Sequence, residues 1–239
     1  MKKVFAILAV ALISVPALKA QTDEAARFGI KISPSTAWLR SDSRGLKSDG
    51  NLIGYTFGLM AEFPIGTTGN YRFSTGLFLN NGGGGYTRDY SFTAGPNEAI
   101  QNRPLKTELR LRYIDLPLTM KMMTNEIGYI RYYAQLGFAA GFNIRANADF
   151  EEPILDPSGF YTLGFRTIEQ ENVSSDVNLF RGGLVIGGGM EYNFSGQTAL
   201  LVGVTYNNGF TNTLKGVEIE DRRARLFYDY LELTLGIFF

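Results

Sequence analysis

A chain of 239 residues is sized for one domain or at most two, and 23 basic side chains against 23 acidic ones leave no basic excess of the kind nucleic-acid binding needs. Cys and His are both absent, which excludes a disulfide framework, a thiol nucleophile, an imidazole base and a His-bound metal. Glycine (28), Phe (18) and Tyr (13) are abundant.

The N-terminus comes first in the chain. Lys2 and Lys3 precede an apolar run from Val4 to Leu18, and Ala20 stands before Gln21. This order predicts a secretory signal peptide over 1–20, cleaved after Ala20. The alternative is an N-terminal anchor helix, although the run is short for a membrane span. Cleavage removes Lys2, Lys3 and Lys19, so the remainder holds 23 − 3 = 20 basic residues against 23 acidic, a net of −3.

Residues 21–239 contain no other long apolar run and no sustained helical period. They show period-two alternation in eight segments, at about 27–40, 52–65, 70–81, 107–122, 128–144, 178–194, 198–208 and 224–239. In the second, Ile53, Tyr55, Phe57, Leu59, Ala61 and Phe63 alternate with Gly54, Thr56, Gly58, Met60 and Glu62. In the fifth, Tyr132, Ala134, Leu136, Phe138, Ala140, Phe142 and Ile144 alternate with Arg131, Tyr133, Gln135, Gly137, Ala139, Gly141 and Asn143. The sixth sets Leu184, Ile186, Met190, Tyr192 and Phe194 against Arg181, Gly183, Gly187, Gly189 and Glu191. The eighth runs "YLELTLGIFF" and ends on Phe239.

A soluble β-sandwich also alternates, but its second face meets water. Here the second face is glycine and small polar residues with single charges, which suits a narrow enclosed lumen. The connections agree. Those after the second, fourth and sixth segments are short ("GTTG", "TNEI", "SGQ"), whereas the other four are long. The reading is all-β: a single closed antiparallel transmembrane β-barrel in a Gram-negative outer membrane, with eight strands, tight periplasmic turns and long external loops. Ten strands is the alternative, because the long loops have room for a further hairpin. Pro34 and Pro117 fall within strands, which predicts a bulge or a shortened strand at each.

Alternating strand direction places Phe63, Tyr71, Phe73, Tyr129, Tyr192, Phe194 and Phe239 at the periplasmic ends, and Trp38, Tyr55, Phe142, Phe180 and Tyr206 at the outer ends. These are two aromatic girdles. The inward charges by alternation are Lys31, Glu62, Arg72, Asp115, Lys121, Arg131, Arg181, Glu191 and Glu232. They read as a lumen plugged by ion pairs, because eight strands leave an interior only wide enough for side chains. A selectivity lining or a catalytic group is the competing reading. Small outer-membrane barrel enzymes generally rely on a His, which this chain lacks, so no enzymatic activity, cofactor or metal is expected. Gly182, Gly183, Gly187, Gly188 and Gly189 lack the Lys-Ser/Thr of a phosphate loop, and Asn172 begins a lone sequon.

Two long loops carry Tyr86, Arg88, Tyr90 and Phe92, and Phe160, Tyr161 and Phe165. They read either as contact surfaces for a protein partner or as β-strands continued above the membrane. The first function class is a structural or interaction barrel, and the second is a small-solute pore. Outer-membrane lipid is the expected surround, and nucleic acid is not an expected partner.

"RYIDLPLTMK" (Arg112–Lys121), "GGLVIGGGMEY" (Gly182–Tyr192) and "YLELTLGIFF" resemble the PorT-like outer-membrane β-barrel family of Bacteroidota, across the whole chain after the signal. The family more often has Glu at the place of Asp115, and often Arg at that of Thr205. The resemblance implies an accessory role in a surface or secretion assembly of type IX kind. The alternating terminal strand with its final Phe239 also resembles the signal by which outer-membrane assembly machinery captures its clients.

Overall fold

In a computed structural model, residues 25–43, 45–66, 68–195, 198–216, 218–219 and 222–239 are described. The signal expected over 1–20 lies outside them. The strands are β1 (Arg27–Ser41), β2 (Leu46–Ile65), β3 (Tyr71–Phe92), β4 (Gln101–Met123), β5 (Ile130–Leu155), β6 (Thr162–Asn172), β7 (Phe180–Ser195), β8 (Thr198–Gly209), the two-residue β9 (Glu218–Ile219) and β10 (Arg222–Arg223), and β11 (Leu226–Phe238).

Antiparallel pairing runs β4-β3-β2-β1-β11-β8-β7-β5, and a further β4–β5 pairing closes the ring at eight strands. Closure by the first and last strands leaves the ring without an edge, which a sheet in lipid requires. The long loop expected after the fifth segment does hold an extra strand, β6. It pairs with the distal part of β5 and never enters the ring.

Most of what reads as long loop is strand. β3 reaches Phe92 and β4 begins at Gln101, while the first connection, expected to be long, is only residues 42–45. The wall is consequently uneven. β3, β4 and β5 have 22, 23 and 26 residues, against 15, 12 and 13 in β1, β8 and β11.

The prolines are accommodated differently from either expectation. β1 passes straight through Pro34, which keeps its partner Tyr55 in β2 while the ladder to β11 skips from Ile32 to Ser35. β4 likewise keeps Pro117 opposite Ala139 and loses pairing only toward β3. There is neither bulge nor shortening at these positions. A strand residue bonds one neighbour only, so a missing N–H thins one ladder and leaves the other whole.

The polarity of the wall inverts along its height, and β4 shows it best. At the short-turn end its outward residues are apolar (Leu116, Leu118, Met120, Met122), and its inward ones are Asp115, Thr119 and Lys121, all buried. Distal to Arg112 the outward residues are Lys106, Glu108 and Arg110, and the inward ones are Leu105, Leu109 and Leu111, all buried. The first pattern suits lipid outside and a polar lumen within. The second is that of a sheet standing in water over an apolar core. Both girdles lie where alternation places them. Phe28 meets Phe63 edge-on and Tyr129 packs on Tyr192 at one end, and at the other Trp38 stacks on Tyr206 and Phe142 meets Phe180.

Candidate functional site

The lumen is filled by side chains among the described residues, and its filling differs between the two halves. At the short-turn end Arg27, Glu62, Lys121 and Glu191 come together from β1, β2, β4 and β7. Arg27 Nη2 donates to Glu62 at 2.7 Å and to Glu191 at 2.6 Å. Lys121 Nζ donates to Glu62 at 2.7 Å and also to Glu191. Each carboxylate thus sits between two cations. Glu62, Lys121 and Glu191 are 1%, 1% and 0% exposed. Phe238 lies beneath, with Arg27 4.2 Å from its ring centre, and Lys121 stands 4.2 Å from that of Tyr133.

All nine predicted charges stand on the inner wall, and their contacts gather them at several places. Glu62, Lys121 and Glu191 share the cluster just described. Arg72 is buried beside it, in register with Lys121. Arg131 is half-buried at the mouth, ion-paired with Glu126 of the 124–129 turn at 3.4 Å. Lys31 and Glu232 form a separate pair at 2.6 Å.

Asp115 and Arg181 belong to a third group, 3.4 Å apart and embedded in tyrosines. Asp115 Oδ2 accepts from Asn80 Nδ2 at 3.0 Å and Tyr230 Oη at 3.2 Å, and Tyr228 Oη donates to Asn80 at 3.0 Å. The Arg181 guanidinium stands over Tyr113, Tyr228 and Tyr230, with centroid distances of 5.5, 5.1 and 5.2 Å. Planar cations on aromatic faces are a stable way to bury an arginine.

Arg27 is the member that sequence reasoning missed. The signal was present: Arg27, Gly29 and Lys31 share one face by period two. Glycines provide the space for the large side chains. A Cβ on Gly82 would collide with the Tyr228 hydroxyl, and one on Gly203 with that of Tyr133. Between the charge cluster and the tyrosine layer remains a cavity of about 60 Å³, lined by Lys31, Thr56, Asp115 and Glu232 among others. It has room for a few waters.

Distal to the tyrosines the lumen is an apolar core. Ala37, Leu39, Leu109, Leu111, Ala146, Ala148 and Leu226 interlock there with Val177 and Leu214, which the connections after β6 and after β8 fold inward. Above it the tall wall carries an aromatic patch. Phe165 meets Phe92 at 5.2 Å and Tyr90 at 6.4 Å, with the Arg103 guanidinium 4.2 Å from its ring. Phe239 follows β11, exposed, with its N–H donating to the carbonyl of Phe28 at 2.9 Å. No group of His, Cys, Asp or Glu able to hold a metal occurs among the described residues.

Several solved structures align with this fold. Neisserial surface protein A is 14% identical over 90% of this chain and 98% of its own, with a TM-score of 0.46. OprG from Pseudomonas aeruginosa is 12% identical over 92% and 98%, with a TM-score of 0.43. Ail, the attachment invasion locus protein of Yersinia pestis, is 14% identical over 90% and 100%, with a TM-score of 0.36. No curated protein matches the chain. The profile of the outer membrane protein beta-barrel domain matches residues 19–215, most of the length, in keeping with the closed eight-stranded ring. The chain belongs to that outer-membrane β-barrel family.

Proposed function

We propose that the protein is a sealed outer-membrane barrel that works through contacts made outside the membrane, as a structural or accessory component of a surface or secretion assembly. The observation that carries this reading is the double closure of the lumen, by the Arg27–Glu62–Lys121–Glu191 cluster and by the tyrosine layer with the apolar core above it. A pore needs a continuous aqueous path, and the cavity between the layers holds only a few waters. The type IX-like setting rests on the resemblance to PorT-like barrels. Contact with a protein partner is assigned to the inner face of the tall wall, where Tyr90, Phe92, Arg103 and Phe165 are half-buried and face away from lipid. Aromatics and arginine are the residues that dominate protein–protein contacts. No catalytic role is assigned to any residue.

Assembly completes the proposal: export on the 1–20 signal, and capture through the last strand and Phe239. Purified protein in planar bilayers is expected to stay electrically silent, while Phe165 replaced by a photo-cross-linking amino acid captures one recurring protein in intact cells. Reproducible single-channel steps from the wild type would instead establish a small-solute pore. Deleting Phe239 is expected to lower outer-membrane levels at native expression, and unchanged levels would remove its assembly role.

A further inference from the structure

At the height where the wall's polarity inverts, one outward row crosses four strands: Tyr55, Asn81, Arg112 and Arg145, each in register with the next. Directly below lie lipid-facing residues, with Ile144 50% and Phe142 46% exposed. Directly above, Gly83 has no side chain, and β2 loses its regular pairing with β3 between Asn51 and Tyr55. A recess of about 380 Å³ lies here in the outer surface, lined by Tyr55, Asn81, Arg110, Arg112, Arg145 and Gln170 among others. The volume is in the range of ligand sites, roughly 300–1,000 Å³.

The arginines differ in how they are neutralised. Arg110 is held by Glu108 at 2.6 Å and Asp149 at 2.9 Å. Arg112 and Arg145 have only amide partners, Asn81 Oδ1 at 2.5 Å and Asn147 Oδ1 at 3.2 Å. No carboxylate pairs with either among the described residues, so two guanidinium charges stand uncompensated at the lipid boundary. The recess edge is also strained. Gln170 has φ 55°, the only positive φ outside glycine among the described residues, and its N–H is tied to Asp149 at 2.6 Å. A left-handed glutamine is costly and persists where the surroundings enforce it.

We propose that this recess binds the phosphate of an outer-leaflet lipid headgroup, with Arg112 and Arg145 clamping the phosphate and Tyr55 and Ile144 lying along the top of its acyl chains. Guanidinium forks match phosphate geometry, and a cation at a membrane surface attracts anionic headgroups. The lipid source is favoured over free phosphate because the row sits on the apolar band rather than in open water.

The experiment uses the full barrel in detergent, titrated by native mass spectrometry with a diphosphorylated disaccharide lipid, its dephosphorylated counterpart and inorganic phosphate. Wild type is expected to retain the phosphorylated lipid and discriminate against the dephosphorylated one. The Arg112→Gln/Arg145→Gln double variant loses about tenfold or more in affinity, whereas Lys47→Gln, an exposed cation outside the recess, leaves it unchanged. Arg112→Lys/Arg145→Lys keeps the charge and recovers part of the binding. A shift in gel mobility on boiling confirms that each variant is folded. Equal binding by wild type and the double Gln variant overturns the proposal. So does equal retention of the dephosphorylated lipid, and saturation by inorganic phosphate alone overturns the lipid source.

Discussion

The two halves of this lumen are built from the same strands and closed by opposite chemistry. In the lipid-embedded half, charges fill the interior: Arg27 and Lys121 hold Glu62 and Glu191 between them, all four buried. In the protruding half, leucines and alanines fill it, as in a soluble domain. The difference follows from what lies outside. In lipid, the outer face takes the apolar residues and the inner face is left with polar ones, which must satisfy each other. In water the usual hydrophobic drive returns, and the apolar face turns inward. The two halves therefore respond to different perturbations.

The largest effect is expected in the charged half. Glu191→Ala leaves Arg27 and Lys121 sharing one carboxylate, and removing one partner of a buried pair costs about 3–5 kcal/mol. The urea midpoint in detergent measures it, and a loss under about 1 kcal/mol, the scale of a surface pair, would show that the cluster is hydrated rather than buried. In the apolar half, Leu226→Ala removes a fully buried side chain and is expected to cost about 2–5 kcal/mol by the same measurement. The two sites share no partners, so the double variant is expected to be additive within about 0.5 kcal/mol. A larger departure would mean that the halves close as one unit.

A smaller effect tests the boundary layer. Gly82→Ala drives a methyl into the Tyr228 hydroxyl and is expected to cost about 1–3 kcal/mol. Adding Tyr228→Phe removes that oxygen, so the pair is expected to be more stable than Gly82→Ala alone. Failure of this rescue would place the strain elsewhere.

The smallest effect lies outside the membrane altogether. Asp156 organises the 156–161 turn, accepting from the Ser158 hydroxyl and from the N–H groups of Tyr161 at 2.8 Å, Phe160 at 3.0 Å and Ser158 at 3.1 Å. These bonds, the Ser158 hydroxyl foremost, hold its pKa below the ordinary 3.8. A depressed carboxylate contributes order above its unfolded pKa and loses it as pH falls through the folded value. The Phe160 and Tyr161 amide resonances are expected to hold steady down to about pH 4 and broaden below it. Asp156→Asn abolishes that acid step, and the lumen of either half stays unaffected.

Much of this was legible in the residues. Alternation specified eight ring strands, because a side-chain period of two is the same in any sheet. It also placed the girdles, because the lipid boundary favours Tyr and Trp on an outward row. The inversion along β4 is written in its sequence too, as Lys106, Glu108 and Arg110 followed by Ile114, Leu116 and Leu118. Sequence reading takes the distal stretches of β3 and β5, and β4 before Thr107, for loops, so the inversion shows there only as Glu108 and Arg110 at the start of the fourth segment. Their outward faces are polar, and polar surface with glycine looks like connection when it is in fact wall.

The residues alone pointed to the eight ring strands and to which way their side chains face, since these depend on local periodicity and on the contrast between lipid and water. They did not determine which charges meet. Of the nine inward charges that alternation predicts, Glu62, Lys121 and Glu191 meet the unpredicted Arg27, Lys31 meets Glu232, Asp115 meets Arg181 among tyrosines, Arg131 meets Glu126 at the mouth, and Arg72 is buried in register with Lys121. That partition depends on the register between strands and on side chains reaching across the lumen from residues as far apart as Arg27 and Glu191. Period two carries the direction of a side chain but not its height on the neighbouring strand, so only the closed barrel decides its partner.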